Sequence, residues 1–298
     1  RPEWLFADIG AQGIGAISVG VYTTCPAAEV EYLLADSGAV AAVVEDEEQL
    51  DKVLAVRGRC PALRHVVLME RRGAAPRLAS DPLLLTFDRL LALGAEGDTA
   101  AWRAATAAID PAAVAILVYT SGTTGPPKGA MLTHANLAAG GHGWGAVLQA
   151  IPGDDLLAYL PLCHVAERMF SAVLALHAGY AVNFGGGGES LVSDLREVQP
   201  TLFFGVPRVW EKMMASVQIR TADASWLKRA IYAVFMRQGR QYARHRLAGR
   251  PPGPLGRLLH ALGWLLLYRP LRERLGMTRV RWAGSGAAPI APQVLEFF

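Results

Sequence analysis

Short apolar runs alternate with amphipathic stretches along most of the chain. Ala39–Val44 (AVAAVV) is a Val-rich run, and the polar EDEEQLDKVLAV after it begins with carboxylates, which suit the partly positive N-terminus of a helix. His65–Met69 (HVVLM) and Ala113–Tyr119 (AVAILVY) predict strands, and the second feeds directly into a Gly-rich loop. Thr133–Gln149 has helical spacing although it carries several glycines. Further on, the pattern predicts a strand over Asp155–Leu160, stopped by Pro161, and a helix over Phe170–His177, stopped by Gly179. It then gives a strand over Tyr180–Phe184, a turn at Gly185–Gly188, a helix over Ser190–Val198, a buried strand over Thr201–Val206 and a last strand over Arg279–Trp282. This alternation predicts an α/β fold of stacked, mostly parallel sheets flanked by helices.

Between Val209 and Leu275 the pattern changes to long helices rich in Arg, Ala and Leu, broken at Arg250-Pro251-Pro252-Gly253-Pro254, which no helix interior tolerates. Leu255–Tyr268 (LGRLLHALGWLLLY) is the most apolar part. It contains Arg257 and His260 and is shorter than the roughly 18–20 residues of a membrane span, so it predicts a buried or interfacial helix.

Composition, with 52% hydrophobic and 18% charged residues, supports a folded core and excludes disorder as the dominant state. The net charge of +3 conceals an asymmetry. Between Pro207 and Arg281, 16 Lys/Arg face only Glu211, Asp223 and Glu273, leaving +13, while the other 13 basic and 23 acidic residues leave −10. The basic helices predict either a solvated face or peripheral contact with anionic lipid. Nucleic acid is not an expected partner, because stacking aromatics and a nucleic-acid module are missing.

Cys25, Cys60 and Cys163 are too scattered for a CxxC metal site or a disulfide framework, and no residue set is assigned to a metal. RPEWLFADIG lacks the basic start and apolar run of a secretion signal. A cytoplasmic location is expected, either free or peripheral at the inner face of a membrane. Arg1 at one end and Leu295-Glu296-Phe297-Phe298 at the other read as cut ends of a longer protein.

The densest chemistry lies in Tyr119-Thr120-Ser121-Gly122-Thr123-Thr124-Gly125-Pro126-Pro127-Lys128-Gly129. Glycines let backbone N–H groups approach an anion, the hydroxyls of Thr120, Ser121, Thr123 and Thr124 add donors, and Lys128 adds a point charge. A lysine about 4 Å from a phosphate charge gains on the order of 4 kcal/mol at the effective dielectric of a protein surface. The order of residues is not that of GxxxxGK[ST], since two prolines precede the lysine and a glycine follows it, which argues against a P-loop NTPase. The competing structural reading is a solvent-exposed Ser/Thr/Gly turn. Gly10, Gly13 and Gly15 spell GxxGxG, not the dinucleotide GxGxxG.

TSGTTGPPKGAMLTHANL resembles the signature of the adenylate-forming superfamily of acyl-CoA synthetases, adenylation domains and luciferases. Tyr159-Leu-Pro-Leu-Cys-His164-Val-Ala-Glu167-Arg168, Phe204–Lys212, Ala283–Pro289 and RPEWLFADIGAQGIGAISVGVYTT are similar to the long-chain fatty acyl-CoA synthetase branch. The resemblance implies that residues 1–298 form part of the large N-terminal AMP-binding domain, with a basic helical segment at 209–275. It also implies that a Tyr-Gly-x-Thr-Glu motif, a ribose-binding aspartate and a C-terminal lid domain with its lysine lie outside this chain. A piece without them is expected to have negligible synthetase activity.

The implied activity is ATP-dependent conversion of a long-chain fatty acid to acyl-adenylate and then acyl-CoA, with ATP, Mg2+ and coenzyme A as co-reactants. An adenylating ligase for another carboxylic acid and a noncatalytic nucleotide-binding module are the alternatives. By the same resemblance Thr120, Ser121, Gly122, Thr123, Thr124, Gly125, Lys128 and Gly129 hold phosphates. Lys128 and His164 are the implied catalytic groups, His164 beside the acyl carboxylate, where the competing reading is a satisfied core histidine. Ser285, Gly286, Ala287 and Ala288 are implied to lie against adenine, the alternative being a plain strand-to-helix turn. Glu167 and Arg168 read as an ion pair or helix-start pair, not as catalysts.

Overall fold

The computed structural model describes residues 1–120, 125–188, 190–250 and 252–298, apart from the side chains of Ala75 and Leu247. It divides into two compact units, Arg1–Gln149 with Leu160–Gly179, and Ala150–Tyr159 with Tyr180–Phe298. Among the described residues every strand pairing but one is parallel.

The first unit begins with α1 (Pro2–Gly13), whose proline occupies a first-turn position where no N–H is needed, and β1 (Ser18–Val19). Three helix–strand pairs follow: α2 (Ala27–Asp36) and β2 (Ala41–Val44), α3 (Glu47–Val56) and β3 (His65–Leu68), and α4 (Ala75–Ser80) and β4 (Leu84–Thr86). Asp46 caps α3 by accepting the Gln49 N–H at 3.0 Å, and Leu50, Val53 and Val56 form its buried face. These residues join Val30, Leu33 and Leu34 of α2 and Val44, Val66 and Leu68 of the parallel β2–β3–β4 sheet in one core. Full burial of each such side chain is worth about 1.5–3 kcal/mol.

Then follow α5 (Phe87–Ala95), α6 (Thr99–Ala107), β5 (Val114–Thr120), β6 (Lys128–Thr133) and α7 (His134–Leu148). Thr133 and Asn136 open α7 with a reciprocal capping box. Its glycines weaken the helical pattern in the sequence, and Gly140, Gly141 and Gly145 have a packing reason. A Cβ on Gly140 would lie 2.7 Å from Met169 Cε, and on Gly145 3.0 Å from the His177 ring. Those partners lie on α8 (Val165–Arg168), the π-helical turn that continues it through Met169–Leu174, and α9 (Ala175–Ala178).

The second unit carries β7 (Asp155–Ala158), β8 (Ala181–Phe184), α10 (Leu191–Val198), β9 (Leu202–Gly205), α11 (Pro207–Ala222), α12 (Trp226–Leu247), α13 (Pro254–Gly263), α14 (Arg269–Leu275), β10 (Trp282–Ser285) and α15 (Pro292–Phe297). Its sheet runs β10-β9-β7-β8. Trp210, Met213 and Val217 of α11 bury one helical face with Phe203, Leu195 and Leu275.

Two expectations are corrected in this unit. The last strand starts at Trp282, because Arg279 and Arg281 are drawn instead to the start of β7: Arg279 Nη2 donates to Asp155 Oδ2 at 2.6 Å and Arg281 Nε to Asp154 Oδ1 at 2.7 Å. The apolar run Leu255–Tyr268, expected to be buried or interfacial, is not buried. Only one side packs inward, where His260 stacks on Tyr242 at 3.9 Å and a Cβ on Gly263 would meet Phe235, whereas Leu255, Leu258 and Leu265 are mostly exposed. Among the described residues no helix is long and apolar enough to cross a membrane.

Asp154 ties the sheet together at one end. Burial alone would push its carboxyl up, but hydrogen bonds from Arg281, from the Thr201 hydroxyl at 2.7 Å and from the Ile151 N–H at 2.9 Å outweigh this and bring it down to about 2. A carboxylate whose folded pKa is depressed stabilises the fold above its unfolded pKa near 4, and loses that contribution as pH falls toward 2. Asp154→Asn is therefore expected to lower stability at pH 7 by roughly 2 kcal/mol and to flatten the loss between pH 4 and 2, as read from denaturant unfolding across that range.

Gly276 closes α14 at φ 73, and a Cβ there would overlap the backbone of Leu195. Gly276→Ala is expected to destabilise by on the order of 2–3 kcal/mol. Gly38→Ala, at φ 62 in open space, carries only the left-handed penalty of about 1 kcal/mol, and thermal unfolding of the two variants separates strain from overlap.

Candidate functional site

Strands β5 and β6 flank the Gly-rich segment and pair antiparallel. β5 has Ala115 and Ile116 fully buried, which anchors it, and the chain returns as β6 with Tyr119 opposite Gly129 and Thr120 opposite Lys128. This return is the one antiparallel pairing, and it corrects the expectation of an open loop through Gly129: Lys128 and Gly129 sit on a strand. KGAMLT did not read as a strand because it is short, starts with Lys-Gly and is largely exposed.

Two tyrosines brace the hairpin against α2. The Tyr119 hydroxyl donates to Asp36 Oδ2 at 2.6 Å, and the Tyr32 hydroxyl donates to the Pro127 carbonyl at 2.9 Å. The rings meet edge to face at 6.4 Å, and Tyr119 lies over Gly129, where a Cβ would come within 3.2 Å of its ring. Burial, reinforced by the Asp36 carboxylate, pushes the Tyr119 phenol up, so it stays a neutral donor. Tyr32 and Asp36 were not singled out by sequence reasoning, since both are ordinary residues of an amphipathic helix.

The side chains of Thr120 and Lys128 are exposed, and Lys128 forms no ion pair among the described residues. Gly125 is exposed at φ 86 with open space where a Cβ would be. Ser121, Gly122, Thr123 and Thr124 lie outside the described residues. Thr120–Gly129 contains no carboxylate, so its composition is that of a donor and cation set, which fits a polyphosphate. Among the described residues no cluster of three His, Cys, Asp or Glu could hold a metal ion.

His164 belongs to the same unit, at the N-cap of α8, where its Nδ1 accepts the Ala166 N–H at 3.1 Å. An accepting Nδ1 carries no proton, so the neutral ring bears its hydrogen on Nε2 and presents a donor there. Glu167 and Arg168 are both buried, and each bonds to groups elsewhere in the unit. Glu167 accepts the Leu160 N–H at 3.1 Å and the Ser171 hydroxyl, and Arg168 donates to Asp8 at 2.7 Å. Asp8 was missed in the sequence, although a lone carboxylate in LFADIG is the kind of signal that marks a buried charge. The Cys163 thiol is pushed by burial up to about 11, which removes it as a nucleophile at neutral pH.

In the second unit, Ser285 is the last residue of β10, paired with Gly205, so it is part of the strand and does not follow it. Ala287 takes φ 70, and a Cβ on Gly286 would lie 3.0 Å from Phe204 Cζ. Ser285, Ala287 and Ala288 are exposed, leaving a strip of backbone and small side chains that a flat ring could approach.

Comparison with known proteins matches the AMP-binding enzyme family over residues 1–298. The chain is 33% identical over 303 residues to a long-chain-fatty-acid–CoA ligase of Xenopus laevis, covering 99% of this chain and 40% of that protein. It is 35% identical over 300 residues to one of Mycobacterium bovis, covering 100% and 48%. It thus spans less than half the length of these relatives. Among solved structures, a long-chain-fatty-acid–CoA ligase of Archaeoglobus fulgidus shares the fold at a TM-score of 0.64 and 19% identity, over 99% of this chain and 46% of that one. The adenylation domain of a Mycobacterium chelonae carboxylate reductase does so at 0.65 and 21%, over 96% and 42%. With the family matched from end to end, this chain belongs to the AMP-binding enzymes.

Proposed function

We propose that this chain is the nucleotide- and acyl-binding part of an ATP-dependent long-chain fatty acid–CoA ligase. A carboxylate oxygen of the fatty acid attacks the α-phosphorus of ATP, the bond to pyrophosphate breaks, and the thiol of coenzyme A then displaces AMP from the acyl-adenylate. The strand geometry carries this reading: an exposed lysine on a braced strand, across from Thr120, next to a segment whose sequence is rich in hydroxyls and glycines. Thr120, the turn residues Ser121–Thr124, Gly125, Lys128 and Gly129 would hold the leaving phosphates. Mg2+ would accompany the triphosphate and share the neutralisation of its charge. The Nε2–H of His164 would meet the acyl carboxylate, and Ser285–Ala288 would lie against adenine. Negative charge grows on the leaving pyrophosphate, so donors fixed before the reaction lower the barrier.

The long-chain preference rests on the names of the relatives. Another carboxylic acid is the second reading, favoured by the 25% identity to an anthranilate–CoA ligase over 72% of this chain. Adenylation rates over a series of acids from aryl to long-chain separate the two. A noncatalytic nucleotide-binding module predicts adenylation with none of them.

In the full-length protein, Lys128→Ala is expected to lower fatty-acid-dependent ATP–pyrophosphate exchange by about 100-fold or more in kcat/KM. Exchange within about threefold of the parent would remove Lys128 from the phosphate site.

Peripheral contact with anionic lipid at the cytoplasmic face belongs to the same proposal. Residues 226–272 hold ten Lys/Arg and no Asp or Glu, and on the same helices Trp226, Leu255, Leu258 and Leu265 are exposed. Sedimentation with phosphatidylglycerol vesicles is expected to capture the protein at low salt, with release at about 0.5 M salt, where the screening length falls to a few ångströms. Equal capture by phosphatidylcholine vesicles, or none by either, contradicts the contact.

A further inference from the structure

A guanidinium and a carboxylate are sealed in the interior of the first unit. The side chains of Arg168 and Asp8 are each 2% exposed, although the residues lie 160 positions apart. Arg168 Nη2 donates to Asp8 Oδ1 at 2.7 Å and to Ser18 Oγ at 3.2 Å, and the Ser18 hydroxyl donates to the same carboxylate. The Trp4 ring lies 4.9 Å from the guanidinium carbon. Trp4 and Asp8 come from α1, Ser18 from β1, and Arg168 is the last residue of α8, whose N-cap is His164.

The segment between Leu160 and Arg168 is thus held at both ends. At its start the Glu167 carboxylate accepts the Leu160 N–H, and the His164 N–H donates to the Pro161 carbonyl at 2.9 Å. At its end the Arg168 N–H donates to the His164 carbonyl at 3.0 Å while the Arg168 side chain is fixed to α1 and β1. Beneath it, a Cβ on Gly20 would come within 2.8 Å of Cys163, so the backbone just after β1 packs against the turn before His164 with no slack.

Stability is a poor account of the pair. Among the described residues Arg168 Nε and Nη1 and Asp8 Oδ2 are buried without a hydrogen-bond partner, and a buried ion pair commonly does no better than an apolar replacement of similar volume. A planar guanidinium instead gives direction, because its donors leave in fixed orientations.

We infer that the Asp8–Arg168 pair is a positioning device for His164, locking the first turn of α8 so that the Nε2–H is aimed at the acyl carboxylate. The inference rests on the acyl role proposed for His164. Arg168 touches no reacting atom; it acts through the histidine four residues before it.

The test is a double-mutant cycle on the full-length protein, reading fatty-acid-dependent pyrophosphate exchange with thermal unfolding alongside. Arg168→Met is expected to lower kcat/KM for the fatty acid by about 10- to 100-fold, as a displacement near 1 Å does, while KM for ATP stays within about twofold. In a His164→Ala background the same substitution is expected to change kcat/KM by less than about twofold, because residues acting as a unit do not add. Asp8→Asn, which keeps the shape of the carboxylate, supplies the same cycle if Arg168→Met does not fold. Additive losses in the two backgrounds, an equal loss in KM for ATP, or no loss in the parent background each overturn the positioning role and leave His164 untouched. No loss from His164→Ala alone overturns the histidine's acyl role and the inference with it.

Discussion

The antiparallel return of β6 along β5 is the constraint on which the chemistry of the first unit hangs. A loop of glycines and hydroxyls has many conformations, and ordering each residue only when a ligand arrives would cost about 1–2 kcal/mol of backbone entropy. Pairing Thr120 with Lys128 fixes the two flanks of that loop, and burial of Ala115 and Ile116 keeps β5 from shifting. The two tyrosine hydrogen bonds to Asp36 and Pro127 then fix the hairpin against α2. The backbone of Lys128 is thereby held on a strand.

Each unit also spends a buried carboxylate on alignment. Asp154 gathers Arg281, Thr201 and the Ile151 N–H where β7, β9 and β10 begin, so these parallel strands start level. Asp8 does the comparable work for α1, β1 and α8 in the first unit. The two differ in their balance. Arg281 is partly solvated and the Asp154 carboxyl is held low, whereas the sealed position of Asp8 pushes its carboxyl up despite Arg168. The first arrangement adds stability, and the second adds geometry.

What the sequence made legible was local. β5 reads directly from AVAILVY, and α3 from its acidic start and apolar spacing. What it hid was either distant or conditional. Nothing near Arg168 announces a partner 160 positions away, so the pair was sought with its neighbour Glu167. The glycines of α7 read as weak points because their cost is visible in sequence and their contacts with Met169 and His177 are not. β10 was placed too early because Arg279 and Arg281 sit beside apolar residues, and only the acids at the start of β7 reveal that they serve as anchors. The family resemblance supplied the roles of His164 and Ser285–Ala288, while the tautomer of His164 came from the Ala166 N–H on its Nδ1.

Adenylation is the central claim, and the fate of one oxygen tests it most directly. A fatty acid labelled with oxygen-18 in its carboxylate, given with ATP, Mg2+ and coenzyme A to the full-length protein, must leave one labelled oxygen in the phosphate of AMP. That oxygen becomes the bridge of the acyl-adenylate and departs with AMP when the thiol attacks the acyl carbon. Labelled AMP in step with acyl-CoA is the predicted result; unlabelled AMP, or ADP and phosphate as the products, would contradict it.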